Sequence, residues 1–104
     1  MISIIITNYN KEKYILNTLN SCKNQTDKNF EIIIIDDAST DKSLEIIKKF
    51  VSKNKKIKIK LFLNKVKKYK NSNLSQLNSI NKAIKHCSGE YISLLDGDDF
   101  FFIK

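Results

Sequence analysis

No arginine, proline or tryptophan occurs in these 104 residues, glycine and cysteine appear twice each, and there is one histidine. Without arginine the chain lacks the planar forks that read base edges and clamp phosphates, which argues against a sequence-specific nucleic-acid reader. All 19 basic residues are lysines, and the net charge is +8. Such point charges suit weak attraction to phosphate or an anionic membrane, and also an ordinary solvated face in a composition rich in Lys, Asn and Ile. The few glycines leave no room for a GxGxxG dinucleotide fingerprint or a P-loop. Cys22 and Cys87 form no CxxC pair and both fall in helical patterns beside apolar residues. They read as reduced, buried small hydrophobes, consistent with a cytosolic chain. No basic leader precedes a cleavable apolar stretch, and the longest apolar runs are far too short to span a bilayer. The expected location is the cytoplasm, with a basic surface that permits contact with the inner face of the cell membrane.

With 41% hydrophobic residues, the chain can bury a core as one small domain. Ile2–Thr7 and Phe30–Ile35 are β-branched apolar runs of the kind found in strands buried on both faces. Ile15, Leu19 and Cys22 share one helical face. A second helix is predicted over 39–53, with Leu44, Ile47 and Val51 in one stripe, Phe50 beside it, and Ser39 or Thr40 as N-cap. Ile57–Leu63 begins by alternating with lysine, as an edge strand does. Residues 64–73 read as a loop. Leu74, Leu77, Ile80, Ile84 and Cys87 define a third helix ending near Ser88–Gly89, where glycine suits a left-handed cap. Tyr91–Leu95 is the fourth strand. This β-α-β-α-β-α-β alternation implies a parallel sheet with right-handed crossovers. Order 3-2-1-4 places the alternating strand at an edge and the more apolar ones inside, as in the first half of a doubly wound sheet.

In such sheets ligands bind beyond the carboxyl ends of the strands, beside the switch point between strands one and four. Three polar clusters converge there: Thr7-Asn8-Tyr9-Asn10, Asp36-Asp37, and Asp96-Gly97-Asp98-Asp99. An aromatic ring can stack on a base, and a carboxylate can accept from a base N–H or a ribose hydroxyl. An Asp-x-Asp can hold a hard divalent cation whose shell is completed by diphosphate oxygens and water. Together they describe a site for a nucleoside diphosphate with a metal. Each piece also has a purely structural reading: Asp36 or Asp37 as a helix cap, Asp96–Asp99 as a turn, Tyr9 as a core aromatic. His86 reads as a partly solvated surface residue and the lysines of 53–70 as a solvated face.

The segments "ISIIITNYNKEKYILNTLNSCKNQTDKNFEIIIIDDASTDKSLEII" and "NKAIKHCSGEYISLLDGDD" carry a resemblance. In this order and spacing the chain, from Ile2 to about Phe100, resembles the nucleotide-sugar-binding half of family-2 glycosyltransferases, inverting enzymes of the GT-A fold. The resemblance implies an α/β, Rossmann-like GT-A half-domain with helices on both faces of a mainly parallel sheet. It implies that Thr7 and Tyr9 contact the base, that Asp37 hydrogen-bonds it and that Asp36 supports that corner. Asp96 would lie near the ribose or sugar, and Asp98, with Asp96, would bind Mn²⁺ or Mg²⁺. The implied donor is a nucleotide-diphospho-sugar, most simply a UDP-sugar, and the acceptor hydroxyl belongs to a glycan or a lipid-linked glycan.

The chain departs from the family pattern in places. Ser79-Ile80-Asn81 stands where many members carry Ala-Arg-Asn, and Ala83 replaces a family glycine. Lys70, in the preceding loop, is the candidate to approach base or phosphates in the arginine's stead. The family's general base lies downstream of the metal motif, and no residue here is a convincing base, although Asp99 is the nearest carboxylate. The apolar tail Phe100–Ile103 suggests further chain covering it. The expectation is one domain, 1–104, cut after the Asp-x-Asp motif. Its rivals are a fragment that binds without transferring and a basic polyanion-binding protein. A receiver-like domain would need its acidic pair after strand one.

Overall fold

The computed structural model describes residues 1–66 and 70–98; Asp99 and the tail Phe100–Ile103 lie outside the described residues. Four parallel strands, β1 (Ile2–Asn8), β2 (Phe30–Asp37), β3 (Ile59–Asn64) and β4 (Tyr91–Asp96), form one sheet of order β3-β2-β1-β4. They alternate with α1 (Ile15–Lys23), α2 (Ser43–Lys53) and α3 (Ser72–Ile84). The isoleucine runs occupy the two central strands. Because side chains alternate, one face takes Ile4, Ile6, Ile32 and Ile34 and the other Ile5, Ile33 and Ile35. The first set packs with Ile15, Leu19 and Cys22 of α1 and Ile47 and Phe50 of α2. The second packs with Ala83 of α3, with Phe62 and Cys87 against it. Helices therefore cover both faces, as expected of right-handed crossovers.

Four local expectations are corrected. First, α2 begins at Ser43, not near Ser39, and its N-cap Lys42 makes no side-chain cap bond. Residues 38–42 are held as a loop instead. Ala38 sits in the left-handed region (φ 57°), Ser39 is bonded to Asp36, and Asp41 accepts from the Ser43 amide at 2.9 Å. Second, α3 does not bury its leucines. Leu74, Leu77 and Ile84 are exposed, while Ser75, Ser79 and Ala83, at i, i+4 and i+8, meet the sheet. The reason lies in the sheet: under α3 the ends of β2 and β3 carry Asp37 and Asn64, which serines can satisfy and leucines cannot. Third, Gly89 does not adopt a left-handed cap. A Cβ there would lie 2.7 Å from Met1 O and from Ser3 N and Oγ, so glycine is required by close approach to β1. Fourth, β4, expected inside the sheet, is its other edge among the described residues, with Tyr91, Ile92 and Leu94 exposed.

Candidate functional site

The carboxyl ends of β1, β2 and β4 lie side by side, with Thr7 in register with Asp96 and Asn8 with Asp36. Beyond them opens a cleft of about 230 Å³ lined by Thr7, Tyr9, Lys11, Asp37, Gln76 and Asp96, among others. Four of the residues singled out from the sequence (Thr7, Tyr9, Asp37 and Asp96) thus share one cleft. Tyr9 is 37% exposed and faces this space rather than the core.

Alternation along β2 separates the two adjacent aspartates. Asp37 points to the α3 face and Asp36 to the opposite one. The buried Asp37 carboxylate accepts from Asn64 Nδ2 at 3.1 Å and from the Ser75 hydroxyl. Lys82 Nζ in turn donates to Asn64 Oδ1 at 2.9 Å. Asp36, equally buried, does not line the cleft. It accepts from Asn8 Nδ2 (2.8 Å), Ser39 Oγ (2.6 Å) and the Ser39 amide (3.1 Å). It therefore fastens the β2–α2 loop to β1. Asn10, in the left-handed region that asparagine tolerates (φ 52°), adds a second tie: its Oδ1 accepts from the amides of Thr40 (2.7 Å) and Asp41 (3.2 Å).

The Asp-Gly-Asp turn is held from below. Thr18 Oγ1 donates to Gly97 O at 2.8 Å, and the Gly97 amide donates to Asp96 Oδ1 at 2.7 Å. A Cβ at Gly97 would come within 2.7 Å of Asn8 Oδ1 and 3.0 Å of Lys11 Cγ, so only glycine lets the turn lie this close to β1. Asp98 is 3.3 Å from Lys11 Nζ. Two carboxylates bracket the turn, and a cationic group already sits on one of them. That donor set suits a hard divalent ion completed by substrate oxygens. No cluster of three or more metal-ligating side chains exists among the described residues, so water or substrate oxygens would complete the shell of an ion held by these two carboxylates.

Lys70 is exposed and does not line the cleft. His86 is exposed, stacks on Phe62 at 4.1 Å and does not line the cleft. Lys11, Ser75 and Gln76 also line the cleft without standing out in the sequence, as does Ser79, noted there only as a departure from the family motif. Gln76 Nε2 donates to Thr7 Oγ1 at 3.3 Å. The available signal was the small-residue stripe Ser75–Ser79–Ala83, which the leucines of the same helix outweighed. Burial pushes the Cys22 thiol up to about 12 and raises that of Cys87 as well, so neither offers a thiolate at neutral pH.

An uncharacterized glycosyltransferase of Haemophilus influenzae is 41% identical over 100 residues, covering 96% of this chain but only 37% of the relative. The crystal structure of Staphylococcus aureus TarS 1-349 in complex with UDP-GlcNAc superposes with a TM-score of 0.79 at 33% identity, over 95% of this chain and 27% of that one. The mannosyltransferase PcManGT of Pyrobaculum calidifontis shares the fold, with a TM-score of 0.83 at 20% identity over 96% of this chain and 28% of its own. This chain therefore spans little more than a third, or less, of the proteins it matches. The sheet order and helix placement are those of the GT-A fold. The model of glycosyl transferase family 2 matches residues 3–103, and the chain belongs to that family.

Proposed function

We propose that this chain is the nucleotide-sugar-binding part of an inverting, metal-dependent glycosyltransferase that moves a hexosyl-type sugar from a nucleotide-diphospho-sugar to a hydroxyl. The observation that carries the reading is the convergence of Thr7, Tyr9, Asp37 and Asp96 on one cleft, with Asp98 beside it. Tyr9 stacks on the base. Asp37, held rigid by Asn64 and Ser75, accepts a hydrogen bond from the base. Thr7 contacts the base beside Tyr9, and Asp96, across from Thr7 on β4, lies near the ribose or sugar. Asp96 and Asp98 would hold Mn²⁺ or Mg²⁺. When bound, such an ion supplies Lewis-acid stabilisation of the charge that develops on the leaving diphosphate. A UDP-sugar is the donor proposed, a choice to which the UDP-GlcNAc complex of TarS lends support. Lys70, exposed and outside the cleft lining, is the proposed partner of base or phosphates in place of the family's arginine.

The same observations favour a second reading for the 104 residues alone, namely binding without transfer. A cleft of about 230 Å³ is smaller than the roughly 300–1,000 Å³ that enclose a small ligand. Exposed apolar residues on α3 and β4 support the packing of further chain there. The acceptor wall and general base would then belong to the longer protein, whose acceptor would be a glycan or lipid-linked glycan of surface polysaccharide synthesis. Lys23, Lys28, Lys53, Lys55, Lys56 and Lys58 surround a concavity at the opposite end of the sheet. They support peripheral contact with an anionic membrane face at the cytoplasmic side.

A panel of nucleotide-sugars screened by thermal shift, with and without Mn²⁺, tests the donor reading. A ligand that binds only the folded state raises Tm by mass action. The expected result is a Mn²⁺-dependent rise with UDP-sugars and none with unrelated polyanions. Salt-sensitive, Mn²⁺-indifferent stabilisation by any polyanion would contradict it. A turnover assay alongside separates an enzyme from a binding fragment.

A further inference from the structure

We propose that Lys11 is an exchangeable counter-ion: it neutralises Asp98 while the site is empty and transfers to the diphosphate when cation and nucleotide enter. This rests on the donor-site reading above. Three observations converge on this lysine. Its Nζ lies 3.3 Å from Asp98 Oδ2, the one ion pair of this rim among the described residues. Its stem lies over the Asp-Gly-Asp turn, since a Cβ built on Gly97 would stand 3.0 Å from Lys11 Cγ and 3.2 Å from Lys11 Cβ. It also lines the cleft with Thr7, Tyr9, Asp37 and Asp96.

The backbone of Lys11 is fixed while its head is not. Its carbonyl accepts from the amides of Tyr14 (2.9 Å) and Ile15 (2.8 Å), which pins it to the start of α1. The two partner side chains are 32% and 41% exposed, and an ion pair so open to water is weak. A divalent cation at Asp98 outcompetes a monovalent ammonium and then repels it at short range. The diphosphate that arrives with the cation offers a displaced ammonium an anion within the cleft that Lys11 lines. The flexible four-carbon stem with three donors can follow it across the cleft, which a rigid planar fork would do less readily.

The exchange predicts opposite shifts in two affinities. Lys11→Met keeps a stem to pack on Gly97 and removes the charge. Mn²⁺ alone, titrated by electron paramagnetic resonance, should bind this variant about 2- to 5-fold more tightly than wild type, as competition from the ammonium is lost. UDP at saturating Mn²⁺, titrated by calorimetry, should bind it about 5-fold or more weakly, as a charge-assisted contact is lost. Lys13→Met removes the same charge from a neighbouring exposed lysine outside the cleft and should move neither. The inference is overturned if Lys11→Met changes neither affinity, shifts both in the same direction, or is matched by Lys13→Met, while wild type binds Mn²⁺ through Asp98. If wild type binds no Mn²⁺, or Asp98→Ala binds it equally, the donor-site reading falls and the exchange falls with it.

Discussion

Asp36 and Asp37 are neighbours in sequence with opposite tasks, and the difference comes from the two-residue period of a strand. Asp36 is spent inside the protein on Asn8 and Ser39. Its removal leaves buried donors without an acceptor, so Asp36→Ala should lower stability by about 1.5–3 kcal/mol, read by urea denaturation. Asp37→Asn should cost less stability and most of the affinity for UDP, measured by calorimetry. The aspartates could be found from sequence because strand ends of a parallel sheet are where polar residues gather. Their division of labour could not, since it depends on which face each occupies and on partners from α3 and the β2–α2 loop. Cys22, read correctly as a buried hydrophobe, has its thiol raised to about 12 by burial. It should resist iodoacetamide at pH 8 in the native protein and react only after unfolding, as mass spectrometry would show.

Among the elements, α3 is the most instructive. Its leucine spacing marks a helix, and a helix is there, but the apolar stripe is not the buried one. Periodicity reports that a face is apolar, not what covers it. The sheet end carrying Asp37 and Asn64 selected serines, and Ala83 let the helix settle on Ile5, Ile33 and Ile35. Substitutions separate the two faces. Ala83→Leu should overpack the contact with the sheet and destabilise by about 1–3 kcal/mol. Leu77→Ser, on the exposed face, should stay within about 0.5 kcal/mol of wild type. Equal losses from the two would contradict this orientation. The start of α2 lies at Ser43, four residues beyond Ser39, for a related reason. Ser39 is a good N-cap by type, but Asp36 and Asn8 take its hydroxyl first.

At the scale of the whole molecule, sheet order was legible because the chain alternates strand and helix and handedness leaves few arrangements. The far end of the sheet was not, since nothing marks Glu31, between Phe30 and the isoleucine run, as special. Its carboxylate is fully buried. It accepts from Ser3 Oγ and the Ser88 amide at 2.6 Å each, with Lys58 and Lys60 at 3.4 and 3.7 Å. Burial by itself would raise its pKa, but the Ser3 and Ser88 hydrogen bonds and the two lysines prevail and hold it at about 2. A depressed carboxylate stabilises the fold above its unfolded pKa and stops doing so as pH falls through the folded value. Stability should therefore fall between about pH 4.5 and 2, and Glu31→Gln, already destabilised at neutral pH, should flatten that acid limb of a Tm–pH profile. This anchor ties the turn before β4 to β1 and β2, and β4 leads directly into the Asp-Gly-Asp turn at the other end. The central claim is that this turn and the cleft beside it grip a nucleoside diphosphate together with a cation. Calorimetric titration of UDP with and without Mn²⁺ into wild type, Asp98→Ala and Asp37→Asn tests it directly. The expected result is Mn²⁺-dependent binding by wild type, weakened at least about 10-fold in each variant; UDP binding indifferent to Mn²⁺ and to both substitutions would refute the claim.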